Sequence, residues 1–214
     1  MAKGSRGGKR GGASERVNPA NISNVQDLIS QRERNQTEVD ETLVVLRDMY
    51  EEYGVSVDTY TAEIGGKDAS VLAFCDQNGD ITINANYFAK QKMDKAMEDS
   101  VKSGFHPSLG NKTGIESVAS HEFGHTLTLK IADNLSKSQG KRVSMDEVSA
   151  RIVTDARKIT GDRGNVIFGG KISKYATHSN AETIAEAICD VYCNGTKAKA
   201  QSKAIKSVLD KYLK

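Results

Sequence analysis

Apolar residues recur at three- and four-residue steps from about Asn24 to Tyr53 (Val25, Leu28, Ile29, Val39, Leu43, Leu46, Met49, Tyr50). That spacing predicts an amphipathic helix, with Ser23 or Asn24 to cap it and Gly54 to stop it. The period then shortens. Val55, Val57 and Tyr60 alternate with polar residues, Ser70–Cys75 is a short apolar run, and Ile81-Thr82-Ile83-Asn84-Ala85-Asn86 alternates cleanly. Three strands are predicted, the last of them half-exposed. Asp76-Gln77-Asn78-Gly79-Asp80 supplies a hairpin turn, because Asn-Gly tolerates positive φ. Helical spacing returns over Phe88–Val101, Gly114–Ile131, Met145–Ile159 (capped by Ser144), Asn180–Tyr192 and Ala204–Leu213. Residues 102–113, with His106-Pro107, and 161–170 read as loops. Strands come early and helices later, which gives an α+β class with a small mixed sheet and a mostly helical C-terminal half.

Composition sets the outer bounds. The 214 residues suit one domain over 24–214, preceded by a disordered, basic, Gly-rich tail at 1–23. Its first twelve residues hold five glycines and Lys3, Arg6, Lys9 and Arg10. This tail is the one segment suited to nucleic acid; a formal charge of +2 makes no such case for the whole chain. No apolar run approaches the roughly 20 residues of a membrane span. No apolar segment follows the basic start, so a secretion signal is not expected. The three cysteines, Cys75, Cys189 and Cys193, form no disulfide framework and read as buried thiols, which points to a reducing cytoplasm. The lysines from Lys197 to Lys214 read as a solvated helix face.

The chemistry concentrates in His121-Glu122-Phe123-Gly124-His125. On a helix, residues four apart share a face, so His121 and His125 can aim two imidazoles at one metal ion. Glu122 lies about 100° round the helix from His121 and can reach a metal-activated water without being a ligand. Gly124 costs about 1 kcal/mol in a helix against Ala, a cost best explained by something packing close to the backbone. Catalytic zinc needs a third protein ligand. Thr128 and Ile131 stand where the extended metzincin motif requires Gly and His, which excludes that subclass. The candidates are His106, His178, Asp133, Glu182, Glu186 and Asp190. Glu182 and Glu186 fit best: they share one side of a helix, where two like charges four apart repel unless a cation or histidine compensates them. His178 reads as a rim residue or a donor to a ligand, and His106-Pro107 as a turn.

The segment from Tyr175-Ala176-Thr177-His178-Ser179-Asn180-Ala181 through Glu182-Thr183-Ile184-Ala185-Glu186-Ala187, behind His-Glu-Phe-Gly-His, resembles the zincin domain of the anthrax lethal factor and Pro-Pro endopeptidase family. The two motifs cover about thirty residues. The resemblance implies Zn²⁺ held by His121, His125 and Glu182, with Glu122 as general base. It implies a Tyr175 hydroxyl at the tetrahedral intermediate and Glu186 as a supporting carboxylate. It also implies a strand at Ile81–Asn86 edging the cleft and pairing with an extended peptide. Thr183-Ile184 stand where relatives often have aromatic residues, so cleavage preference does not transfer. The Gly/Lys/Arg-rich start is similar to those of phage- and prophage-encoded members, which would place the chain in a bacterial cytoplasm or a virion. The expected function is zinc-dependent peptide-bond hydrolysis. The alternatives are a virion-associated structural protein of zincin fold with little or no catalysis, and a hydrolase of non-peptide amides.

Overall fold

The computed structural model describes residues 17–213. Among the described residues, seven α-helices accompany a four-stranded mixed sheet, consistent with the α+β class. The strands are β1 (Ile22–Asp27), β2 (Thr59–Ile64), β3 (Ala73–Cys75) and β4 (Ile81–Asn84), in the order β1-β2-β4-β3. β1 is antiparallel to β2 with a register break between Ser23 and Gln26; β2 runs parallel to β4, and β3 is antiparallel to β4. The predicted Asn-Gly turn joins β3 to β4. Gly79 takes a φ of +92°, and Asp76 Oδ1 accepts the backbone N–H groups of Asn78 and Asp80.

The helices are α1 (Gln36–Tyr53), α2 (Lys90–Lys102), α3 (Gly114–Gln139), α4 (Met145–Thr160), α5 (Asn165–Gly170), α6 (Asn180–Asn194) and α7 (Ala200–Leu213). Among the described residues, none is long and apolar enough to cross a membrane. Their ends obey local chemistry. Gly54 closes α1 in the left-handed conformation, Thr113 and Glu116 form a reciprocal capping box on α3, and Ser144 caps α4 as predicted. Phe123, Leu127, Ile131, Ile152, Ile184 and Phe168 are among the fully buried side chains where α3, α4, α5 and α6 meet.

Four expectations are corrected. The segment from Asn24 is not helical: residues 22–27 form β1, and α1 begins only at Gln36. Val25 and Ile29 mimic helical spacing but are 58% and 62% exposed, and Asn24 adopts a φ of +52°, which a helix excludes. The stretch read as a disordered tail through residue 23 is ordered from Val17, which is buried, with a 3₁₀ turn at Pro19–Asn21; residues 1–16 of that tail lie outside the described residues. Residues 161–170 are not all loop, because α5 forms behind Gly164 and buries Phe168; Gly169 is needed there, since a Cβ would come within 2.6 Å of the Ala176 carbonyl oxygen. Finally, β4 is neither half-exposed nor an edge. It lies between β2 and β3 with all four residues buried, and polar Asn84 is satisfied inside by the Val71 carbonyl (2.8 Å) and the Asn86 N–H (3.0 Å). The edge strand beside α3 is β3.

Candidate metal centre

α3 and α6 pack closely because Gly124 has no side chain. A Cβ at that position would stand 2.7 Å from the Ala185 Cα, backbone that cannot rotate away. The glycine inside the His121–His125 turn therefore sets the distance between the two helices. Gly124→Ala should lose about 1–2 kcal/mol of stability, overpacking outweighing its better helix propensity. It should also weaken metal binding, since α6 carries the third candidate ligand. Urea unfolding and a chelator competition read both; unchanged values would show that the helices can part freely.

Across this contact, α3 presents His121 and His125 with ring centroids 5.1 Å apart. α6 presents Glu182 in its first turn, where Ser179 Oγ accepts the Glu182 backbone N–H at 3.1 Å and the helix dipole favours a carboxylate. Glu182 Oε2 lies 3.2 Å from His121 Nε2 and 3.4 Å from His125 Nε2. All three residues are buried, and their ligand atoms lie within 4.8 Å of one another. Although so close, Glu182 Oε2 has no hydrogen bond of proper geometry. Three ligand atoms that converge without bonding one another are what a cation between them would require. Among the described residues, none of the ion pairs of Glu182 or Glu186 involves Lys or Arg, and imidazoles are their only ion-pair partners. The residues present therefore fit a divalent ion.

The surroundings orient this set. His121 Nδ1 donates to Glu186 Oε1 at 2.8 Å, so the neutral ring, the form a metal binds, directs its Nε2 lone pair at the convergence point. Glu122 is buried; it accepts the Cys75 backbone N–H from β3, while its Oε2 has no partner. Thr126 Oγ1 donates to the Gly79 carbonyl at 2.7 Å and so fastens the β3–β4 turn to α3. Tyr175, in a 3₁₀ turn at Tyr175–Thr177, stacks on His121 with centroids 5.7 Å apart and planes at 25°. Burial pushes the Glu122 pKa up, Glu182 adding to the effect. Burial would do the same to Glu182 and Glu186, but His125 and His121 hold Glu182 well below the usual carboxylate range. His106 and His121 hold Glu186 down to about 2. Burial alone would lower the His121 pKa; the carboxylates of Glu182 and Glu186 carry it well above the ordinary histidine value.

All six residues singled out in the sequence, His121, Glu122, His125, Tyr175, Glu182 and Glu186, meet at this place. The remaining candidates do not join the ligand set. Asp133 is exposed, Asp190 caps the turn beyond α6 by accepting from Lys199 N–H and Asn194, and His178 packs edge-on against Tyr175 with centroids 5.0 Å apart. His106 corrects the turn reading: its Nδ1 bonds the same Glu186 Oε1 at 2.7 Å, forming a second His/Glu group with His121. The loop that carries it is stitched to the Tyr175 segment by Lys174 N–H to Gly104 O and Tyr175 N–H to Phe105 O, both 3.0 Å. Only the scarcity of histidine, four in the chain, draws attention to this residue in the sequence. No spacing rule links position 106 to position 186. No family model, no curated protein and no solved structure matches the chain.

Proposed function

We propose that the chain is a zinc-dependent endopeptidase of the zincin type. The observation that carries this reading is the convergence of His121, His125 and Glu182 on one buried point, beside a carboxylate, Glu122, that is not a ligand. Two imidazoles and a carboxylate are a ligand set that catalytic zinc uses, with a fourth position left for water. Zinc held there lowers the pKa of a water to about 7 and polarises a substrate carbonyl.

The chain's own groups supply the rest. Glu122, with one oxygen fixed by the Cys75 N–H and Oε2 unpartnered, takes the proton of the attacking water and returns it to the leaving amine. The raised Glu122 pKa helps it hold that proton between the two transfers. Tyr175, stacked on His121, provides a hydroxyl for the charge that develops on the carbonyl oxygen; one such donor is worth about 2.7–4 kcal/mol where it has been removed. Glu186 keeps His121 in the tautomer that offers Nε2. A peptide is the substrate that suits the neighbouring strand. β3 ends the sheet, beside Glu122, and although Glu122 takes its Cys75 N–H, an extended backbone can run along this edge strand.

Metal analysis tests this reading. The purified protein should carry one zinc per chain, and Glu182→Ala should lose it. Casein cleavage should stop on adding a chelator and resume with zinc. A wild-type chain that takes up no zinc after supplementation would remove the centre on which the proposal stands.

A further inference from the structure

A cavity of about 280 Å³ opens beside His121 and Glu122, between α2, α3, α6 and the β3 segment. Leu72, Met97 and Val118 supply apolar wall, while Ser100, Ser117 and His106 are polar groups in the same lining. His106 is held on several sides. Its Nδ1 bonds Glu186 Oε1 at 2.7 Å, and its ring stands edge-on to Phe105 and Tyr175 at centroid distances of 5.2 Å. Glu186 Oε1 also takes the Nδ1 of His121, and its Oε2 takes the Ser173 hydroxyl at 2.6 Å. A carboxylate only accepts, so the neutral form of His106 carries its proton on Nδ1 and offers the Nε2 lone pair. That Nε2 makes no hydrogen bond among the described residues, and the side chain retains 16% exposure.

Resting on the zinc-endopeptidase reading, we propose that this cavity receives the substrate side chain next to the scissile bond and selects an uncharged carboxamide, such as glutamine, through His106 Nε2. The apolar wall suits a methylene stem. Nε2 accepts from the amide NH₂, and the serine hydroxyls can donate to the amide oxygen. An acidic side chain would face Glu122 and Glu186 with no Lys or Arg in the lining. A basic one would find Glu186 buried and already accepting three hydrogen bonds. An acidic chain would lose its hydration without gaining a partner, and a basic one could pair only with Glu122, whose unpartnered Oε2 the proposed proton transfer needs.

The test uses two peptide hydroxamates that differ only in the side chain directed into the cavity, glutamine in one and methionine in the other. Both are titrated by calorimetry into the zinc-loaded full chain. The glutamine probe should bind roughly five- to tenfold tighter, the worth of one net hydrogen bond. In His106→Asn, whose amide can keep the bond to Glu186 while lacking Nε2, the ratio should fall to about one with zinc still bound at one per chain. Equal binding by the wild type, or a glutamine preference that survives His106→Asn, would overturn the proposal. If neither probe binds the zinc-loaded chain, the metal-centre reading falls and this proposal with it; if both bind equally, only the subsite assignment falls.

Discussion

Glu122→Gln is expected to abolish peptide cleavage, lowering kcat by about 10²–10⁴ as for loss of a general base, while zinc content stays at one per chain. The substitution is nearly isosteric, and the amide oxygen can still accept the Cys75 N–H that fixes the side chain now. What disappears is the capacity to take a proton. Glu122 lies beside the ligand set rather than in it, so metal affinity should change little. Stability should hold or rise, because burial disfavours the charged carboxylate and a neutral amide escapes that cost. A gain of about 0.5–2 kcal/mol would be in the range seen when a residue kept for function is relieved. Activity, zinc content and urea unfolding on one preparation separate these effects. A variant that cleaves at the wild-type rate would sink the proton-transfer role, and one that loses its zinc would show Glu122 to be a ligand.

Glu186→Ala should produce the largest loss of stability. Glu186 has no exposed surface, and its two oxygens accept from His106, His121 and Ser173. Truncation removes the acceptor of all three hydrogen bonds at once and leaves their donors with nowhere to go. Breaking a buried ionic group in this way costs about 3–5 kcal/mol. His121 also loses the bond that fixes its tautomer, so zinc affinity should fall about 10–100-fold without vanishing. Urea unfolding and chelator competition measure the two effects independently. A loss below about 1 kcal/mol would mean that water replaces the carboxylate, and that the three segments it ties together do not depend on it.

How much of this was legible beforehand follows from the range of the interactions. α3 was readable because its signals are local: apolar spacing over many residues, the His121–His125 turn, and Gly124, whose cost pointed to the close contact with Ala185. Glu182 and Glu186 were readable as a pair, since four-residue spacing puts both on one side of α6. β1 was hidden because Val25 and Ile29 lie on an exposed strand and the turn after it, where their spacing imitates a helix. The burial of β4 was hidden because Thr82 and Asn84 look solvated by residue type, and only the folded loops show which groups satisfy Asn84. His106 was hidden for a different reason. Its partner is 80 positions away, and its role exists only once the loop after α2 lies against the Tyr175 segment.

The proposed ligands come from helices that are distant in sequence, and this reaches beyond the site itself. His125 and Glu182 stand 57 positions apart, with α4 and α5 in the intervening chain. An ion joining them acts as a staple on that loop, comparable in chain entropy to a cross-link worth about 4 kcal/mol. Metal depletion should then loosen α4 and α5 as well, and they should become the first segments open to proteolysis in a zinc-starved cell.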